Sequence, residues 1–103
     1  MKQLSVFIEN QCGKLLELTD TLKAENIDIL AITIAETQEF GIARMIVDDI
    51  EKAEKCLKDK GFACNQTNVL VIEIDSKPGG LAGLLKIFND NAINVEYMYG
   101  FFK

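Results

Sequence analysis

The 103-residue chain contains no histidine and no tryptophan, one proline and three cysteines, and it is short of cations, with 11 Lys+Arg against 16 Asp+Glu. Each shortage excludes something. Without histidine the usual general base and the commonest metal ligand are missing, and Cys12, Cys56 and Cys64 show no Cys-x-x-Cys spacing, so neither a zinc centre nor a disulfide framework is expected. We expect a reducing, cytoplasmic setting. A net charge of −5 argues against nucleic-acid backbones and anionic membrane surfaces, both of which are held by clustered Lys and Arg. No apolar run reaches the length of a membrane span, and the start, Met1-Lys2-Gln3 followed by LSVFIEN, is too short and too alternating for a targeting segment.

Present instead is 49% apolar residue content in a chain that buries about 60–65% of its unfolded surface on folding. The apolar residues repeat. Displaced by 66 positions, the sequence falls on itself: Leu4, Val6 and Ile8 meet Leu70, Ile72 and Ile74, and Glu9 meets Asp75. Farther on, Gly13 meets Gly79, Leu15 meets Leu81, Leu18 meets Leu84, Leu22 meets Phe88, Ile27 meets Ile93 and Ile29 meets Val95, without a gap. The chain therefore reads as one unit over residues 1–67 and the front half of a second over 68–103.

In the first unit Leu4, Val6 and Ile8 alternate as in a half-buried strand, and a helix from Gly13 to Glu25-Asn26 carries Leu15, Leu18 and Leu22 on one stripe. Residues 28–36 read as a second strand, Glu39-Phe40-Gly41 as a turn and IARMIV as a third strand. Asp48-Asp49 then offer cap oxygens to a helix with Ile50, Ala53 and Leu57 inward, Gly61 ends it, and residues 62–67 form a fourth strand. This order predicts an α+β, ferredoxin-like βαββαβ sandwich, followed by the βαβ front half of another with strands at 69–75 and 94–102. A full second unit needs about thirty more residues. Without them its two strands flank a slot of unpaired backbone, so the chain is expected to be a fragment of a longer protein, to close the slot by direct strand pairing, or to borrow a copy's segment.

Each unit sets a polar turn between its first strand and first helix, Asn10-Gln11-Cys12-Gly13-Lys14-Leu15 and Ser76-Lys77-Pro78-Gly79-Gly80-Leu81. Glycine there permits a tight turn and brings backbone N–H groups to whatever stands before the helix, a nest suited to a carboxylate. The same glycine also serves simply to close the turn, and both readings stand on the residues alone. The string DSKPGGLAGLLKIFNDNAINVEYMY, and more loosely NQCGKLLELTDTLKAENIDILAITI, resembles the ACT domain, a small ligand-binding regulatory module associated with enzymes of amino-acid metabolism.

The resemblance covers essentially the whole chain and implies an amino-acid ligand held between paired units. The implied ligand-binding positions are Asn10, Gln11, Cys12, Gly13, Asp28 and Ile29 in the first unit, and Ser76, Pro78, Gly79, Gly80, Leu81, Asn94 and Val95 in the second. Backbone N–H groups would take the carboxylate, and Asp28 or Asn94 the ammonium. Cys12 stands where Pro78 stands and Asp28 where Asn94 stands, so the two sites are expected to differ. The resemblance also implies a homodimer or larger assembly whose pairing signals to an enzyme or a transcriptional partner, with no cofactor. The alternatives are a dimerisation module without ligand, a nucleotide binder and an enzyme. Gly79-Gly80-Leu81-Ala82-Gly83 matches no phosphate-loop pattern, and Cys12 lacks both a base and a resolving partner in sequence. Tyr97, Tyr99 and Phe101 alternate along one strand face, matching Ala31, Thr33 and Ala35, and read as a packing surface shared with Phe7, Ile42 and Ile46.

Overall fold

A computed structural model describes residues 1–36 and 39–101. Its elements are β1 (Lys2–Glu9), α1 (Lys14–Ala24), β2 (Ile29–Glu36), β3 (Phe40–Val47), α2 (Ile50–Asp59), β4 (Ala63–Asn68) and α3 (Gly80–Asp90). By packing, the chain divides into Met1–Val69 with Gly100 and Phe101, and Leu70–Tyr99.

The first unit is a four-stranded antiparallel sheet in the order β2-β3-β1-β4. Alternation puts Leu4, Val6 and Ile8 of β1 beside Ala43 and Met45 of β3, and onto this face pack Leu18 and Leu22 of α1 and Ala53 and Leu57 of α2. This is the ferredoxin-like arrangement, and its core is one cluster. Asp49 caps α2 by accepting the Lys52 N–H at 3.2 Å. Asp48 does something else: its Oδ1 accepts the Asp28 N–H at 3.0 Å while the Asp28 carbonyl accepts the Asp48 N–H at 3.2 Å, tying the entry of β2 to the exit of β3.

Two local expectations are corrected. Phe40 and Gly41 already belong to β3, paired with Glu9 and Ile8 of β1, because the ladder gains hydrogen bonds by extending to the strand end. Leu15 is 39% exposed and Thr21 takes the third buried place on α1, its hydroxyl donating to the Glu17 carbonyl at 2.7 Å.

The face away from the helices carries Phe7, Ile42, Arg44, Ile46, Ala31, Thr33 and Ala35 in register. Of these, Ala31 and Ile46 are buried, as are Gln3 and Ser5 of β1, whose side chains bond each other at 3.2 Å.

In the second unit α3 is regular but has no buried residue, and Leu70, Ile72, Ile74, Leu81 and Ile87 are exposed. Residues 70–75 and 93–101 join no ladder among the described residues, while Phe102 of the expected strand lies outside them. Tyr97 and Tyr99 are half-buried and Phe101 is exposed.

Candidate functional site

The two glycine turns are built alike to the level of single hydrogen bonds. Gly13 caps α1 at φ 89° and Gly79 caps α3 at φ 88°, left-handed values that a side chain adopts only with strain. The Gln11 N–H reaches the Glu9 carbonyl at 2.7 Å, and the Lys77 N–H reaches the Asp75 carbonyl at 3.0 Å. The Lys14 N–H donates to Gln11 at 3.3 Å, matched by Gly80 to Lys77 at 3.1 Å, and both glycine carbonyls accept an N–H four residues on at 2.9 Å. At the other end of each helix Asn26 and Ala92 take φ 57° and 56°, and the Ile27 and Ile93 N–H groups turn back to Leu22 and Phe88 at 3.0 and 2.8 Å. The sequence repeat is thus a repeat of backbone geometry.

Neither helix start has a side-chain cap. No backbone bond from a loop acceptor satisfies the N–H of Leu15 or Leu16, or of Leu81 or Ala82, among the described residues. Four such donors, two at each turn, face outward at a positive helix end. The turns differ at the residue that follows the shared glycine and opens the helix. Gly80 has no room for a Cβ, which would collide with the Asp75 carbonyl oxygen, whereas the equivalent Lys14 carries a full side chain.

A small cleft of about 90 Å³ opens beside the first turn, lined by Ile8, Glu9, Asn10, Gln11, Lys14, Leu15, Ile34, Glu36 and Gly41. A broader, open groove of about 420 Å³ runs from Gly13 past Leu16, Glu17, Asp20 and Thr21 to Lys60. The cleft is the more enclosed of the two, with apolar and polar residues both in its lining. Asn10 and Gln11 line it, Gly13 borders the groove, and Cys12 is exposed with a free thiol.

Asp28 and Ile29 stand elsewhere. They follow α1, while Gly13 precedes it, and an eleven-residue helix separates its ends by about 16 Å. Register agrees: Ile29 pairs with Val47 at one end of the sheet, and Glu9 with Phe40 at the other. One unit therefore cannot bring Gly13 and Asp28 to the same small ligand. In the second unit Ser76, Pro78, Gly79, Gly80 and Leu81 likewise precede α3, and Asn94 and Val95, both exposed, follow it.

The cleft adds residues that the sequence alone did not place among the ligand-binding positions: Lys14, Glu36 and Gly41, with the apolar Ile8, Leu15 and Ile34. Lys14 and Leu15 lay within the turn motif, but Glu36 and Gly41 are brought there only by the β2–β3 register that pairs them. Among the described residues no group of three His, Cys, Asp or Glu side chains could hold a metal ion, and no helix is long and apolar enough to cross a membrane.

Burial pushes the Cys56 and Cys64 thiols up, and the carboxylates of Glu25 and Glu54 respectively add to it. Both thiols lie against the core, with Cys56 Sγ donating to the Ala53 carbonyl at 3.3 Å.

The family of ACT domain pairs matches this chain over residues 1–103. The chain belongs to the ACT-domain family. Among solved structures, protein BT0572 from Bacteroides thetaiotaomicron superposes on this ACT pair with a TM-score of 0.93 at 47% identity, covering 99% of this chain and 71% of that one. The ligand-free regulatory subunit of aspartate kinase from Thermus thermophilus gives 0.72 at 15% identity, covering 96% and 75%. An unknown protein from Galdieria sulphuraria gives 0.58 at 13% identity, covering 97% and 74%. The latter two show likeness of fold. No curated protein sequence matches the chain.

Proposed function

We propose that this ACT chain is a non-catalytic regulatory module of the cytoplasm that binds an amino acid at its strand-to-helix turns and transmits the event through pairing of units. One observation carries the reading: the same uncapped, glycine-turned helix start is built twice, 66 residues apart, each presenting backbone donors to a small anion. The residues proposed to hold the ligand are Asn10 to Gly13 and Ser76 to Leu81. Because Asp28 and Asn94 lie a helix length from the turn of their own unit, they serve the turn of a second copy of the chain, so ligand and assembly are coupled. Binding that favours the paired arrangement shifts the population toward it by the difference in affinity between the two states. An enzyme or a transcriptional regulator would receive the signal. Membership of the family supports the regulatory role.

The exposed apolar residues Leu15, Leu16, Leu30, Ile32 and Ile34 on α1 and edge strand β2 favour a second reading, a dimerisation module needing no ligand. A thermal-shift screen against the twenty amino acids, combined with sedimentation at each condition, separates the two. Ligand at a hundred times its dissociation constant adds about 2.7 kcal/mol, and several degrees, to stability. A selective shift with altered mass supports the sensor; unchanged dimers and a flat screen support the module.

A further inference from the structure

The first unit is itself made of two like halves, β1-α1-β2 and β3-α2-β4. In the order β2-β3-β1-β4 the first strand of each half lies inside, antiparallel to its counterpart, and the second lies at an edge, bonded to the other half's first strand. No strand pairs with the other strand of its own half. The second unit, Leu70–Tyr99, repeats one such half: residues 70–75 stand at the place of β1, α3 at that of α1 and residues 95–99 at that of β2. Neither segment joins a ladder among the described residues, and the apolar side chains are open where their counterparts are covered. Leu4 and Val6 are wholly buried, whereas Leu70 is 77% and Ile72 39% exposed; Ile74 and Ile93 are exposed against buried Ile8 and Ile27.

We infer that residues 70–99 form an interface with a second copy of this chain, in which two half-units interlock about a two-fold axis into one four-stranded sheet of the ferredoxin-like kind. Each copy's residues 70–75 enter the place that β3 holds in the first unit, between 70–75 and 95–99 of the partner, and each α3 covers half of the shared sheet. The occupant has to be an unpaired first strand, antiparallel, followed by a helix on the same apolar face. The first unit cannot supply it, because β1 and β3 are each paired on both sides. A second copy of residues 70–99 has that form. Faces and charge set the register. Like faces stay together when the axis falls on a residue rather than between two. On Glu73 it would set two carboxylates directly opposite, and on Val71 it would oppose Ile74 to Asn68, which already pairs with Lys2 in β4. On Ile72 it opposes Leu70 to Ile74 and Val71 to Glu73, free of like charges. Ordering of the half-unit is then coupled to association and depends on chain concentration. The inference needs no ligand and stands apart from the amino-acid reading.

The test is sedimentation equilibrium and amide hydrogen exchange, without ligand, on the full chain and on Ile72→Asp and Ile72→Lys, alone and mixed one to one. Ile72 lies outside the first unit's core, so circular dichroism should show that unit intact in both variants. The native chain should be a dimer that dissociates on dilution, with exchange at residues 70–75 quickening in step. Either variant should weaken the dimer about a hundredfold, since like charges meet at the axis, and the mixture should restore it, since aspartate then meets lysine. A monomer at every concentration with residues 70–75 exchanging freely overturns the inference. So does a dimer that both variants retain, which puts the interface elsewhere, and so does a mixture that associates no better than the separate variants, which shows that Ile72 does not face its own copy.

Discussion

Two glycines four residues apart on one helix should respond oppositely to the same substitution. Gly79 sits at φ 88°, where an added Cβ crowds the following carbonyl, at a cost of about 1–2 kcal/mol. Restricting the unfolded chain returns ~0.4–1 kcal/mol, so Gly79→Ala should weaken α3 by about 1 kcal/mol. Gly83 is interior to α3 with nothing within 4 Å of a built Cβ, and Gly83→Ala should strengthen the helix by about 0.5–1 kcal/mol. Since α3 buries none of its residues, its opening is a local event, and amide hydrogen exchange of residues 83–90 reads it directly. One kcal/mol is about a fivefold change in an opening equilibrium, so exchange should quicken about fivefold in the first variant and slow about two- to fivefold in the second. If both substitutions move exchange in the same direction, the turn is not held left-handed and the argument for a constrained, donor-presenting helix start is wrong.

Removing core bulk should be far costlier: Leu18→Ala or Leu57→Ala, each fully buried in the first unit, should lose about 2–5 kcal/mol in urea unfolding. Ala92→Asn should slow exchange at the C-terminal end of α3, because alanine at φ 56° is strained and asparagine tolerates that conformation, a gain of up to about 1 kcal/mol. Burial raises the Cys56 and Cys64 thiols above the ordinary 9.0, so the fold favours their protonated form; that contribution is whole below pH 9.0 and fades as pH climbs through the raised values. Relative to a Cys56→Ala, Cys64→Ala double variant, the native chain should lose stability in that alkaline range, and parallel pH curves would count against the burial. Iodoacetamide at neutral pH should label exposed Cys12 before either, by mass spectrometry of timed samples.

Much of this ACT chain was legible from local chemistry. The helix starts at Gly13 and Gly79, the Asp49 cap and the alternation of Leu4, Val6 and Ile8 each depend on residues within a turn or two, where side-chain pattern and backbone preference act together. The same locality explains why the sequence marks the end of the first helix at Glu25-Asn26, where asparagine tolerates φ 57°, and why Ala92, with no such propensity, is visible as a left-handed stop only through its φ of 56°. What tertiary structure alone decided is long-range. Extension of β3 to Phe40, the exposure of Leu15 and the distance between Gly13 and Asp28 follow from which strands pair and in what register. Glu36, Gly41 and Lys14 meet for the same reason, since strand pairing and the docking of α1 bring to one cleft residues that nothing in their local sequence links.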